Sequence, residues 1–224
     1  MEWKKVRIFA KNISGMEGVL YSIGHSNQTV EEFVDLLKRH GVNCVVDVRS
    51  VPASKYSPQF NQRELSDYLY SQGIQYLHFG MEFGARRNDC IGDNGQVNFE
   101  KAVGTEAFQK GVLRVMRGMA KGYRIAFMCS ESEPLECHRF ALVSRYFYDQ
   151  GVDVNHIMKE GDLKTHKELE KEMIEGYLKS RKHHLSEVDE MFGSYTAEEQ
   201  RVDAYRLKNK EIGYIVDLEE VEEI

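Results

Sequence analysis

The chain predicts an α/β fold: a doubly wound, mainly parallel five-stranded sheet in a three-layer, Rossmann- or flavodoxin-like sandwich, with a C-terminal helical extension. Three observations predict it. Five short apolar runs alternate with four stretches of helical periodicity, as when crossover helices cover both faces of a parallel sheet. The 224 residues are 42% hydrophobic with three prolines, which suits one large core with an appendage. After His166 the composition turns charged and helical. The core is therefore placed at residues 18–166 and the extension at 167–224.

Before Gly18, only Val6 and Ile8 alternate, which allows a short edge strand. Gly18 to Gly24 (GVLYSIG) reads as strand one. Thr29 and Glu32 form a capping box, and Val30, Phe33, Val34, Leu36 and Leu37 follow at helical spacing up to Gly41. Cys44-Val45-Val46 is strand two and runs into Asp47-Val48-Arg49. Asn61 and Glu64 open a second helix, with Leu65, Tyr68 and Leu69 inward and Gly73 ending it. Ile74 to Phe79 is strand three. Gly80 to Gly104 has no clean period and reads as a long loop, the kind of segment that tends to carry function. Thr105 to Lys121 is a helix with Phe108, Val112, Met116 and Met119 on one face. Ile125 to Met128 is strand four, and a long amphipathic helix then runs to Gly151. Val152 to Met158 is strand five. The sequence does not fix the strand order; 2-1-3-4-5 is the commonest for such a domain. Beyond His166, Leu169, Met173, Ile174 and Tyr177 form a narrow apolar stripe for the core or for a second copy. The acidic end, IGYIVDLEEVEEI, adds an edge strand or stays loose.

A net charge of −6 argues against a wide basic face for duplex nucleic acid, though not against a local arginine cluster. No apolar run approaches a membrane span and no signal-peptide core is visible, so the expected location is cytoplasmic and no membrane partner is expected. Cys44, Cys90, Cys129 and Cys137 are read as free thiols, Cys44 as a small buried hydrophobe.

In a parallel sheet every strand's carboxyl end lies on one edge, where ligands bind. That edge collects His25, Ser26 and Asn27 after strand one, Asp47 and Arg49 after strand two, and Glu82, Arg86 and Arg87 after strand three. Strand four brings Cys129 and Glu131, with Cys137, His138 and Arg139 on the following helix. His156 and His166 come last. Each has a structural reading beside the chemical one. His25 suits acid–base work or a helix cap. Asp47 with Arg49 suits ligand capture or a loop-holding ion pair. The thiol of Cys129 or Cys137 suits nucleophilic chemistry or packing.

Three chemistries compete. Arg49, Arg86, Arg87 and Arg139 suit anions, yet the acidic loop after strand four lacks glycine and excludes a P-loop or dinucleotide fingerprint there. Cys129, Cys137, His138 and His25 include soft metal ligands, but Cys-x7-Cys-His matches no standard zinc signature, and no metal ligand is assigned. Thiol chemistry with a histidine base is the third.

The segments YSIGHSNQTVEEFVDLLKRHGV, VVDVRSVP with PQFN, MCSESEPLECHR and NHIMKEGDLKTH together resemble the domain of unknown function 488 family of bacteria and archaea, over about residues 20–166. Its motifs fall on Gly24, His25, Ser26, Asp47, Val48, Arg49, Pro52, Phe60, Asn61, Cys129, Glu131, Cys137, His138, Arg139, His156 and His166. A family Gly-Gly-Arg near strand three is matched here by Gly84 and Arg86 alone. The resemblance implies an α/β core and no settled activity. Asp47-Val48-Arg49-Ser50 and a strand-ending cysteine are also similar to rhodanese-type sulfurtransferases. SESEPLEC after Cys129 replaces the glycine- and arginine-bearing loop of that family, so a working rhodanese is not expected.

The expected function is an enzyme acting on an anionic substrate, a small molecule, nucleotide or nucleic-acid end, at this edge. His25, Glu131, Cys129 and Cys137 are its catalytic candidates; Ser26, Asp47, Arg49, Asn61, Arg86, His138 and Arg139 are its ligand-binding candidates. The alternatives are a non-catalytic binding module in the same cleft, or a thiol or metal site at Cys129, Cys137 and His138. No cofactor is named by the sequence. A homodimer through the C-terminal helices is the expected assembly.

Overall fold

The computed structural model describes residues 18–181 and 196–216. The strand considered at Val6 and Ile8 and the last residues of the acidic end lie outside them. The strands are β1 (Leu20–Gly24), β2 (Cys44–Asp47), β3 (Gln75–His78), β4 (Ile125–Cys129), β5 (Val154–Ile157) and β6 (Leu163–Thr165). Their order in the sheet is β3-β2-β4-β1-β5-β6. Neighbouring pairs among β1 to β5 are parallel, and β6 is antiparallel to β5. The order, left open by the sequence, departs from the common 2-1-3-4-5, and a sixth strand is present that was too short for periodicity to reveal. The order follows burial: IAFMC of β4 is buried throughout and sits inside the sheet, whereas QYLH of β3 and LKT of β6 are partly exposed and take the edges.

Two apolar layers flank the sheet. Tyr21, Ile23, Val45, Ala126, Met128 and Ile157 pack against α1 (Val30–Arg39) and α2 (Gln62–Ser71). The alternate set, Leu20, Cys44, Val46, Val48, Ile125, Phe127, Cys129 and Val154, faces the other helices. The Thr29–Glu32 capping box forms as expected. Asn61 precedes α2 but gives it no side-chain cap; its Oδ1 accepts from Ser54 N at 2.7 Å and holds the loop instead.

The expected long loop is largely structured. It holds α3 (Gly80–Phe83), a 3-10 turn at Asn88–Cys90 and α4 (Phe99–Val103) before α5 (Glu106–Ala120). Phe83, Cys90, Val97, Phe99 and Ala102 are buried, at intervals that follow neither a helical nor a strand period. After β4, Arg139–Ser144 winds as a wider π-helix and continues as α6 (Arg145–Asp149). Such widened turns recur at functional sites.

The extension supplies α7 (His166–Arg181) and α8 (Ala197–Ile212). Leu169, Met173, Ala204 and Tyr205 join the core, so part of the expected stripe is buried against the chain's own sheet layer. A buried polar chain fastens these helices. Tyr205 donates its hydroxyl proton to Glu170 at 2.8 Å, so its oxygen accepts from His166 Nε2 at 2.9 Å. His166 Nδ1 then accepts from His156 Nε2 at 3.2 Å, and His156 Nδ1 from Ser22 Oγ at 2.6 Å. Both imidazoles are thereby neutral, with the proton on Nε2. His156 and His166 belong to this chain and not to the cleft at the strand ends. No helix among the described residues is long and apolar enough to cross a membrane.

Candidate metal centre

Because β4 lies between β1 and β2, the ends of these three strands are neighbours: Gly24 is level with Cys129, and Asp47 with Met128. The helices after β1 and β4 cover opposite faces, the arrangement that opens a crevice between adjacent strands. Here the turns themselves close it. His25 N donates to Cys129 O at 2.9 Å and Ser26 N to Ser130 O at 2.8 Å. The Glu131 carbonyl crosses so near Gly24 that a Cβ there would lie 1.8 Å from it. The opening is displaced to the β2 side.

On that side Arg49 is 5% exposed and Asp47 fully buried. Arg49 Nε contacts Asp47 Oδ1 at 3.0 Å and Oδ2 at 3.1 Å, and Nη2 contacts Oδ2 at 2.6 Å. Nη2 also donates to Phe60 O at 2.8 Å, and the Tyr76 hydroxyl donates to Asp47 Oδ2 at 2.7 Å. Burial and the Asp47 charge push the Tyr76 phenol well up. His25 completes the lock. Its ring stacks on Phe60 at 4.3 Å, Nδ1 donates to Ser26 O at 2.8 Å, and Nε2 accepts from Arg49 Nη1 at 3.3 Å. Burial, with the Arg49 charge, holds His25 down at about 4 despite the Ser26 bond. It is a neutral imidazole with both nitrogens engaged.

Across the cleft floor, Cys129 ends β4 and Cys137 follows a 3-10 turn at Pro134–Glu136 that folds the chain back. His138 donates from Nε2 to the Val48 carbonyl at 3.0 Å. Its Nδ1 is left facing Cys129 Sγ and Cys137 Sγ, each at 3.8 Å. The three donor atoms lie within 4.8 Å of one another, and all three residues are buried. Glu131 Oε2 sits 3.2 Å from each sulfur. The Cys137 bond and burial raise the Cys129 thiol. Burial opposes the Cys137 thiolate, but the Cys129 thiol, Arg139 and His138 together hold Cys137 well down. Burial likewise opposes the His138 cation, and the Cys137 thiolate outweighs it, so that pKa rises. Burial, then the Cys137 charge, raises Glu131. Arg139 is fully buried and turns away from the cleft, donating to the Glu131 and Ser132 carbonyls at 2.6 and 2.7 Å.

A cleft of about 220 Å³ opens over these groups, lined among others by Arg49, Arg86, Cys129, Glu131, Cys137 and His138. Asp47, His25 and Arg139 stand behind it as supports. Ser26 lies in the turn with φ of 47°, and Asn61 holds its own loop. Arg87 pairs with Asp89 and bonds the Met81 and Glu82 carbonyls, while Glu82 pairs with Arg114. Sequence reasoning missed Tyr76, the Phe60 and Val48 carbonyls, and Tyr214, which reaches the cleft wall from the far end of the chain. Main-chain acceptors leave no side-chain signature, and that wall is placed by tertiary pairing with residues 95–97, as where Val97 N donates to Tyr214 O and Val216 N to Gly95 O.

No curated protein and no solved structure matches the chain. The family signal begins after His25 and ends before His156, yet it spans both halves of the cleft, from the Asp47–Arg49 support to the thiol and imidazole donors. Over residues 29–146, more than half of its length, the chain matches the family described as Domain of unknown function DUF488, and it belongs to that family.

Proposed function

We propose that this domain binds one borderline-soft divalent metal ion, of the zinc type, at Cys129, Cys137 and His138. The observation that carries the reading is the convergence of two sulfurs on one imidazole nitrogen, each at 3.8 Å, with all three donor atoms within 4.8 Å of one another. Tetrahedral zinc, with bonds of about 2.3 Å to sulfur and about 2.0 Å to nitrogen, sets its ligands about 3.5–3.8 Å apart. His138 is oriented as metal-bound histidines are, its other ring N–H fixed by a backbone carbonyl. Glu131, with Oε2 3.2 Å from each sulfur, would be the carboxylate nearest such an ion. Ligand softness favours zinc over magnesium or calcium.

The ion would face a cleft, so the reading extends to an enzyme whose metal acts as a Lewis acid on a ligand entering there. In it, Asp47 and His25 fix Arg49, and Arg139 shapes the Cys129–Cys137 loop. The expected anionic substrate belongs to this proposal as the ligand approaching the ion. Thiol chemistry at Cys137 is the second reading, favoured by the Arg139 backbone amide 3.5 Å from its sulfur.

Elemental analysis of protein dialysed after zinc loading tests the first reading. About one zinc per chain is expected, falling sharply in Cys137→Ser and in Cys129→Ser at unchanged circular dichroism. Metal-free wild-type protein rejects it; rapid alkylation of Cys137 in that sample would then favour the second.

A further inference from the structure

We infer that the cleft also contains an arginine-built subsite for a small oxyanion, a phosphate group or a carboxylate, beside the metal position. It deepens the metal-centre reading by naming the class of ligand, and rests on that reading for what the bound anion meets.

Arg49 carries the argument. A guanidinium has five N–H donors. Nε and both hydrogens of Nη2 are used by Asp47 and Phe60, and one hydrogen of Nη1 by His25. The second Nη1 hydrogen has no partner among the described residues, on a side chain 5% exposed that lines the cleft. This donor is already desolvated and rigid, so an acceptor meeting it orders little further.

Arg86 lines the same cleft from the loop after β3. Its position is built from main chain: Arg86 N donates to Ser50 Oγ at 2.9 Å. Gly84 permits this approach, since a Cβ there would lie 2.5 Å from Ser50 Oγ. The guanidinium rests over the Tyr214 ring, 5.0 Å from its centroid. Among the described residues, it has no hydrogen bond and no carboxylate partner.

The carboxylates nearby do not fill this role. Asp47 is taken by Arg49 and Tyr76. Glu131 lies against the two sulfurs. Glu136 is exposed at the cleft wall. Two arginines with unused donors therefore line one void of about 220 Å³, and forked N–H donors select oxygen pairs on phosphate or carboxylate. Val51, Ala85 and Ile212 give that void apolar walls for the body carrying the anion.

The test is calorimetric titration of inorganic phosphate, and separately of acetate, at fixed ionic strength into wild type and Arg86→Gln, with zinc content measured on the same samples. Saturable binding is expected, weakened about tenfold by Arg86→Gln at unchanged zinc content, as for loss of one charged hydrogen bond. Tighter phosphate marks a phosphoryl ligand, and tighter acetate a carboxylate. Zinc-loaded wild type that binds neither, or binding equal in the two proteins, overturns the subsite and leaves the metal reading standing. Zinc-free protein that still shows the Arg86-dependent binding overturns the metal reading and leaves the subsite.

Discussion

Asp47 concentrates the energetic risk of the cleft in one carboxylate. It is buried with Arg49 as forked partner and Tyr76 as second donor. Removing one member of a buried ion pair strands the other charge, so Asp47→Asn is expected to destabilise by about 3–5 kcal/mol, read as a lower urea midpoint. Tyr76→Phe removes a single bond to the same carboxylate and should cost about 1.5–3 kcal/mol; a cost as large as that of Asp47→Asn would reject this ranking. Cys129, Cys137 and His138 were legible as one cluster because topology alone brings them to a shared edge. Their spacing did not announce a metal, since the donor atoms of Cys-x7-Cys-His meet only when the Pro134–Glu136 turn reverses the chain. The sequence marked His25 for acid–base work; the bonds to Ser26 and Arg49 place it among the supports.

The element that decides the geometry is the Ser130–Glu136 loop lying across the end of β1. Gly24→Ala would drive a methyl group into the Glu131 carbonyl. Zinc content should fall while α1 and the outer strands persist, with hydrogen exchange faster in residues 130–137; unchanged zinc content and exchange would show that the loop absorbs the methyl group. The capping box on α1 is a milder matter: Thr29→Ala should cost about 1 kcal/mol, visible in the midpoint and not in metal content. Helix and strand positions were legible wherever a period survived, as in Phe108, Val112, Met116 and Met119 of α5. Residues 80–104 were not, because Phe83, Val97 and Phe99 are buried by contacts with distant segments: Asn209 Oδ1 accepts from Phe99 N and its Nδ2 donates to Val97 O.

Across the whole molecule, the Ser22–His156–His166–Tyr205–Glu170 chain joins sheet to extension and sets an acid limit on stability. Burial and the Arg201 and Arg145 charges hold His166 down at about 3; burial, His166 and Arg139 hold His156 well below its ordinary value. The groups facing them are Ser22 from β1, Arg139 from the π-helix, Tyr148 and Arg145 from α6, Glu170 from α7, and Arg201 and Tyr205 from α8. Unfolded, each histidine titrates near pH 6.5. Above that pH neither state binds the proton and the full stability is present. Below it the unfolded chain takes up protons that the folded one refuses, and stability falls towards the folded pKa values. Each histidine should cost about 1.4 kcal/mol between about pH 7.5 and about pH 5.5. His166→Gln should flatten that slope; an equal slope in the variant would exclude this origin. Strand order was beyond sequence reasoning, because the insertion of β4 between β1 and β2 depends on long-range pairing. The placement of Tyr214 has a consequence for synthesis. A ribosome delivers Cys129, Cys137 and His138 long before the residue that walls their cleft. For that interval the growing chain would present two thiols and an imidazole with one side open to free metal and oxidants around it.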